Sequence, residues 1–139
     1  MRILIADTQS KVRFAIRVLL ERQPDLEVVG EAVNAAELLQ QFEGDCPDAL
    51  LLGWELPGMA MDQLMAALRS SCPEAVIIAL SGRLEAQRIA IETGADAFVS
   101  KSSPPEQLLA AISLCDCHCA GDASTRARKE GSMLVKDQA

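Results

Sequence analysis

At 139 residues, half of them apolar, the chain has the size of one domain and can bury a single core without disulfides or a metal. It carries 13 Lys and Arg against 20 Asp and Glu, and residues 1–120 hold 17 of the acidic groups against 9 basic ones, so nucleic-acid binding by this chain is not expected. No apolar run approaches the roughly 18 residues of a membrane span, and the start MRILIADTQS lacks the apolar region and cleavage site of a secretory signal, which points to a soluble, cytoplasmic protein.

Short apolar runs alternate with helical patterns, the arrangement that builds a parallel sheet covered by helices on both faces. Ile3 to Ala6 is the first run and ends at Asp7. Ser10 is placed to cap a helix whose Val12, Ala15, Ile16, Leu19 and Leu20 recur at i, i+3, i+4, i+7 and i+8, with Pro24 closing it. A second strand runs from Leu26 to Gly30 or slightly beyond. Asn34, with Glu37 three residues on, gives a capping-box-like start to a second helix carrying Ala35, Leu38, Leu39 and Phe42. Ala49 to Leu52 is the third strand, Leu64, Met65 and Leu68 mark the third helix, and Ala75 to Leu80 is the fourth strand. A fourth helix over Leu84 to Thr93 is ended by Gly94, the fifth strand covers Ala97 to Ser100, and Pro104 to Leu114 opens on prolines suited to a first turn and forms the fifth helix. Past that helix the periodicity is lost by about Gly121, so the expected division is a domain over residues 1–119 and a disordered tail over 120–139.

In an open parallel sheet, ligands gather where helix amino termini and loop amides converge on the carboxyl ends of the strands. The residues there are Asp7 and Thr8, Gly53 to Glu55, Ser81 and Gly82, and Lys101. The stretches ILIADTQ, EVVGEA, LLLGWELPGM, IIALSGR and TGADAFVSK, in this order and at this spacing, resemble the receiver domain of bacterial two-component response regulators over Met1 to about Leu114. That resemblance implies a flavodoxin-like, doubly wound, five-stranded parallel sheet in the order 2-1-3-4-5, and phosphorylation of an aspartate by a partner histidine kinase. Carried over by position, the family's two acidic residues after the first strand correspond to Asp7 and Thr8, and its phosphoacceptor aspartate to Gly53. Its switch hydroxyl corresponds to Ser81, its switch aromatic to Phe98 and its phosphate-binding lysine to Lys101, while Glu55 would lend only a backbone carbonyl.

Glycine offers no atom that can attack phosphorus, so the resemblance implies a pseudo-receiver in which residue 53 is not phosphorylated. With Asp7 as the one matching carboxylate and Lys101 nearby, Mg²⁺ binding is expected to be lost, and Asp7 and Lys101 are expected to pair across the pocket. Departures at both Thr8 and Gly53 favour a site drifted as a whole over an ordinary phosphorelay receiver altered at one position. Signalling would then run through protein contacts. The surface over Leu84 to Leu114, with Arg83, Glu85, Arg88 and Glu92 exposed, carries output and dimer contacts in the family, so the expected partner is another protein or a second copy.

Other chemistries fit less well. An aspartate-nucleophile phosphatase using Asp7 wants a carboxylate two residues on, where Gln9 stands, so no enzyme is expected. Phe98 also reads as a packed strand residue, and Trp54 as a half-exposed side chain beside the pocket. CDCHC puts Cys115, His118 and Cys119 on one helical face, three soft ligands where a structural zinc wants four. Five cysteines, an odd number, favour free thiols in a reducing compartment. Yet CPDA at Cys46 and CPEA at Cys72 precede strands that are neighbours in the implied order. Adjacent strands lie ~4.8 Å apart and a disulfide spans ~4.4 to 6.8 Å between Cα atoms, so these two thiols are expected close enough to oxidise, which leaves a redox- or metal-sensing module as the remaining alternative.

Overall fold

Among the described residues ten elements alternate strand and helix: β1 Arg2–Ala6, α1 Ser10–Glu21, β2 Glu27–Ala32, α2 Ala35–Gly44, β3 Ala49–Gly53, α3 Met61–Ser71, β4 Val76–Ser81, α4 Ala86–Thr93, β5 Ala97–Ser100 and α5 Pro105–Gly121. This computed structural model describes residues 1–121, the last seven as helical backbone; the tail expected over 120–139 lies outside the described residues from position 122 on. All pairings are parallel and the strand order is β2-β1-β3-β4-β5, as the resemblance implied.

Alternation along each strand sorts the core into two layers. Leu4, Leu50, Leu52, Ile77 and Ala79 face α2, α3 and α4, meeting Leu38, Phe42, Leu64, Met65 and Leu68. Ile3, Ile5, Leu51, Ile78 and Leu80 face the other way, onto Ile16 and Leu20 of α1 and Leu108 and Ile112 of α5. Strands β3 and β4 are buried on both faces and therefore read as unbroken apolar runs.

The Asn34 cap forms as expected: its Oδ1 accepts from the Glu37 amide at 2.9 Å, and Glu37 Oε1 accepts from the Val33 amide at 3.0 Å. The turn after β3 docks onto the same helix end, with the Ala35 amide donating to Pro57 O at 2.9 Å. Gly58 adopts φ +110° there, and a Cβ on it would stand 3.3 Å from Ala35, so glycine is required on both counts. Arg69 ties α3 to the feet of β4 and β5, donating to Ala75 O at 2.6 Å, Gly94 O at 2.8 Å and Asp96 Oδ2 at 2.8 Å.

Several boundaries differ from the sequence reading. Ser10 is the first residue of α1 and not its cap; Gln9 holds the capping position with extended backbone and no side-chain cap. Strands β3 and β4 each run one residue further, to Gly53 and Ser81. Helix α4 starts two residues late, because Arg83 to Glu85 form a turn whose Arg83 amide is drawn to Ser81 Oγ at 3.0 Å. Helix α5 continues past Leu114 to Gly121. Among the described residues no helix is long and apolar enough to cross a membrane.

Edge strand β2 is fastened to α1 by one carboxylate and two guanidinium groups. Arg13 Nε donates to Glu31 Oε1 at 2.9 Å and Arg17 Nε to Glu31 Oε2 at 2.6 Å. Burial disfavours the Glu31 charge, but the hydrogen bonds from Arg17 and Arg13 outweigh it and hold the carboxyl below its ordinary 4.5. A folded-state value below the unfolded one adds stability that is present above pH 4.5 and fades as the pH falls through the lowered value. Glu31→Gln is therefore expected to lose about 1 kcal/mol in urea unfolding at neutral pH, with the gap to the natural chain closing in acid. A gap that widened on acidification would contradict the assignment.

Candidate functional site

The carboxyl ends of β1, β3, β4 and β5 lie side by side, and backbone bonds carry the sheet into its loops. The Asp7 amide donates to Ala32 O at 3.0 Å, the Trp54 amide to Leu80 O at 2.8 Å and the Lys101 amide to Ser81 O at 2.9 Å. The side chains that follow each strand are therefore set by the sheet itself.

Asp7 is 1% exposed, and its Oδ1 accepts from the Gln9 amide at 2.8 Å. Its Oδ2 lies 2.7 Å from Lys101 Nζ, an ion-pair contact off the hydrogen-bonding direction, while the aligned hydrogen bond of that ammonium goes to Gln9 Oε1 at 3.0 Å. The expected pairing across the pocket is present. Arg13 Nη1 donates to Asp7 O at 2.8 Å, so both ends of the aspartate face positive charge. The sequence reading noted Gln9 only as a missing carboxylate, although its backbone amide holds Asp7 and its side-chain Oε1 accepts from Lys101.

Gly53 is buried at the end of β3 with no left-handed φ. What glycine supplies is space: a Cβ there would stand 2.5 Å from Asp7 Oδ2, 3.0 Å from Asp7 Cγ and 3.3 Å from Ala6 O. The volume a side chain at 53 would begin to fill holds the Asp7 carboxylate.

Ser81 is fully buried; its Oγ donates to Glu55 Oε2 at 2.8 Å and accepts from the Arg83 amide at 3.0 Å. The resemblance assigned Glu55 only a backbone carbonyl toward a metal; its side chain makes this separate contact. An acid directly after Trp54 was visible in the sequence, but nothing there told which way it would turn. Thr8 is exposed on the rim. Phe98, opposite Ala79 in the sheet, is partly buried against the layer of α2, α3 and α4. Trp54 is a correction: at 8% exposure it belongs to that layer and is not half-exposed.

A hard divalent cation does not fit these donors. It wants several oxygens in near-octahedral array, and the one buried carboxylate already has an ammonium at 2.7 Å on the oxygen it would offer. Glu55 is turned to Ser81. Among the described residues no group of three or more His, Cys, Asp and Glu could hold a metal ion. The side chains of Cys115, His118 and Cys119 lie outside the described residues.

Cys46 and Cys72 form a disulfide at the opposite end of the strands, before β3 and β4, with Cα atoms 5.7 Å apart. The free-thiol reading is thus corrected for two of the five cysteines: strand spacing, not the odd count, governs these two.

The family model for the response regulator receiver domain matches residues 3–113. The nitrate/nitrite response regulator protein NarL of Escherichia coli K12 is 33% identical over 112 residues, covering 79% of this chain and 52% of the relative. A protein-glutamate methylesterase/protein-glutamine glutaminase of Cereibacter sphaeroides is 30% identical over 135 residues, covering 93% of this chain and 37% of the relative. Among solved structures, a LuxR-family two-component response regulator from Aurantimonas sp. SI85-9A1 superposes with a TM-score of 0.75 at 29% identity, covering 96% of this chain and 97% of the other. This chain spans about half the length of these curated response-regulator relatives.

Lys101→Met would strand the Asp7 carboxylate at 1% exposure, and urea unfolding at pH 7 is expected to show a loss of about 3 kcal/mol. Adding Asp7→Asn should restore most of it. Equal losses in the single and double variants would refute the pairing.

Proposed function

The chain belongs to the response regulator receiver domain family, and on that premise we propose that it is a degenerate receiver, a two-component signalling module that works through protein contacts without accepting a phosphoryl group. Position 53 carries the reading. By motif register Gly53 stands where the family has its phosphoacceptor aspartate, and an acyl phosphate forms when a carboxylate oxygen attacks phosphorus, which glycine cannot do. The neighbouring carboxylate does not take over the task. Asp7 fills the space beside Gly53, with its Oδ1 held by the Gln9 backbone amide and its Oδ2 in ion-pair contact with Lys101, and this reading gives it a structural role in place of a phosphoryl-accepting one.

The rest of the pocket agrees with a module set in one arrangement. Ser81, the counterpart of the family's switch hydroxyl, has a resident carboxylate in Glu55. Phe98, the counterpart of the switch aromatic, acts in this reading as a packing residue. Mg²⁺ has no place here, because binding it would displace Lys101 from Asp7. We assign no catalytic residue and a cytoplasmic place.

The partner face in this reading is Leu84 to Leu114. Leu84 is 66% exposed, Ile89 57% and Leu114 58%, set among the exposed pairs Arg83 with Glu85 and Arg88 with Glu92. Exposed apolar side chains interspersed with both signs of charge along this segment suit another protein or a second copy of this chain.

Beryllofluoride with Mg²⁺ tests the proposal, followed through backbone amide shifts. The natural chain is expected to show no response. The double variant Thr8→Asp/Gly53→Asp should respond at Asp7, Ser81 and Lys101. A response of similar size in the natural chain would mean that another residue accepts the ligand, as in an ordinary receiver.

A further inference from the structure

The crosslinked cysteines sit in unlike surroundings. Cys46 is exposed in the loop after α2, whereas Cys72 is 2% exposed and packed in the layer that holds Phe42. Their backbone is held without the sulfurs. Arg2 Nη1 donates to Cys46 O at 2.9 Å, the Arg2 guanidinium pairs with Asp45, the Arg2 amide donates to Asp48 Oδ2 at 2.7 Å, and the Cys72 amide closes α3 onto Leu68 O at 2.8 Å. Each sulfur also lies 3.6 Å from a carbonyl, Ser71 O for Cys46 and Phe42 O for Cys72. A reduced thiol at either place has an acceptor waiting, so the same backbone suits both oxidation states.

We propose that Cys46 and Cys72 form a reversible thiol–disulfide exchange site addressed by low-molecular-weight thiols. In reducing compartments an intramolecular disulfide is characteristically transient and redox-responsive; this step rests on the cytoplasmic place assigned above, while the state of the upper pocket does not enter it. An external thiolate attacks the accessible Cys46 sulfur, the S–S bond breaks, and Cys72 departs as a thiolate that takes a proton from water. A second external thiolate then attacks the outer sulfur of the mixed disulfide and releases Cys46. Two external thiols are oxidised to one disulfide, and the protein pair gains the two electrons. The reverse sequence closes the bond.

The crosslink spans 26 positions of sequence that carry β3, Gly53, Glu55 and α3. Reduction therefore removes a covalent tie across the segment that forms one wall of the candidate site, while its backbone hydrogen bonds stay in place.

The experiment places the native full chain in glutathione buffers of stepped redox ratio, quenches in acid, alkylates and maps peptides by mass. Trypsin separates the two sulfurs into peptides 23–69 and 70–83, apart from Cys115, Cys117 and Cys119. In millimolar reduced glutathione without denaturant the bond is expected to open, with the glutathione adduct trapped on Cys46, and to close again in oxidised glutathione. The Tm should fall by about 10 °C on opening. Cys46→Ser should show the same Tm in both buffers. A bond that opens only after denaturation, two thiols that persist in excess oxidised glutathione, or an adduct on Cys72 would each overturn the proposal.

Discussion

The contact between Lys101 and Asp7 organises the upper end of this molecule. A carboxylate buried to 1% exposure is tolerable only with a compensating charge, and the compensation comes from the far side of the site. Strands β1 and β5 are separated in the sheet by β3 and β4, so the two side chains must meet above them. They can do so because β3 ends in a residue without a side chain. Gly53 has no left-handed backbone to satisfy, which leaves room as its contribution: the Asp7 carboxylate leans into the place of the missing Cβ and from there reaches the ammonium. Gln9 then bridges both partners, with its amide on Asp7 and its Oε1 on Lys101.

Features that depend on local chemistry were readable in the amino-acid sequence. The unbroken apolar runs of β3 and β4, the α1 stripe apart from the exposed Ala15, and the Asn34–Glu37 start of α2 stand where pattern and capping chemistry put them. Strand order came from the motifs in register, and the neighbourhood of Cys46 and Cys72 followed from it. Features that depend on side-chain direction were not readable. Trp54 and Glu55 are adjacent in the chain, yet one turns into the core and the other across to Ser81; hydrophobicity predicted neither angle. Ser10 has the right composition for a cap, but Gln9 takes that position because the preceding turn is gathered around Asp7. Composition also misled on oxidation state, since an odd cysteine count says nothing about which pair the topology brings together.

Strand β3 has different fastenings at its two ends. At its foot, covalent sulfur and the Arg2 contacts hold the entering loop. At its head the fastenings are electrostatic, with Asp7 and Lys101 above Gly53 and Glu55 on Ser81. Elsewhere the same economy recurs: Glu31 gathers two arginines of α1 onto the edge strand, and Arg69 gathers three acceptors beneath β4 and β5. Each cluster joins separate elements through one multivalent side chain, which fixes the relative placement of layers that apolar packing alone would allow to slide.

The crowding at Gly53 also limits what a substitution there could do. An aspartate introduced by itself would set its Cβ against Asp7 and leave two carboxylates competing for one lysine. The space at the end of β3 and the ion pair above it are thus one unit: a side chain cannot enter the first without rearranging the second.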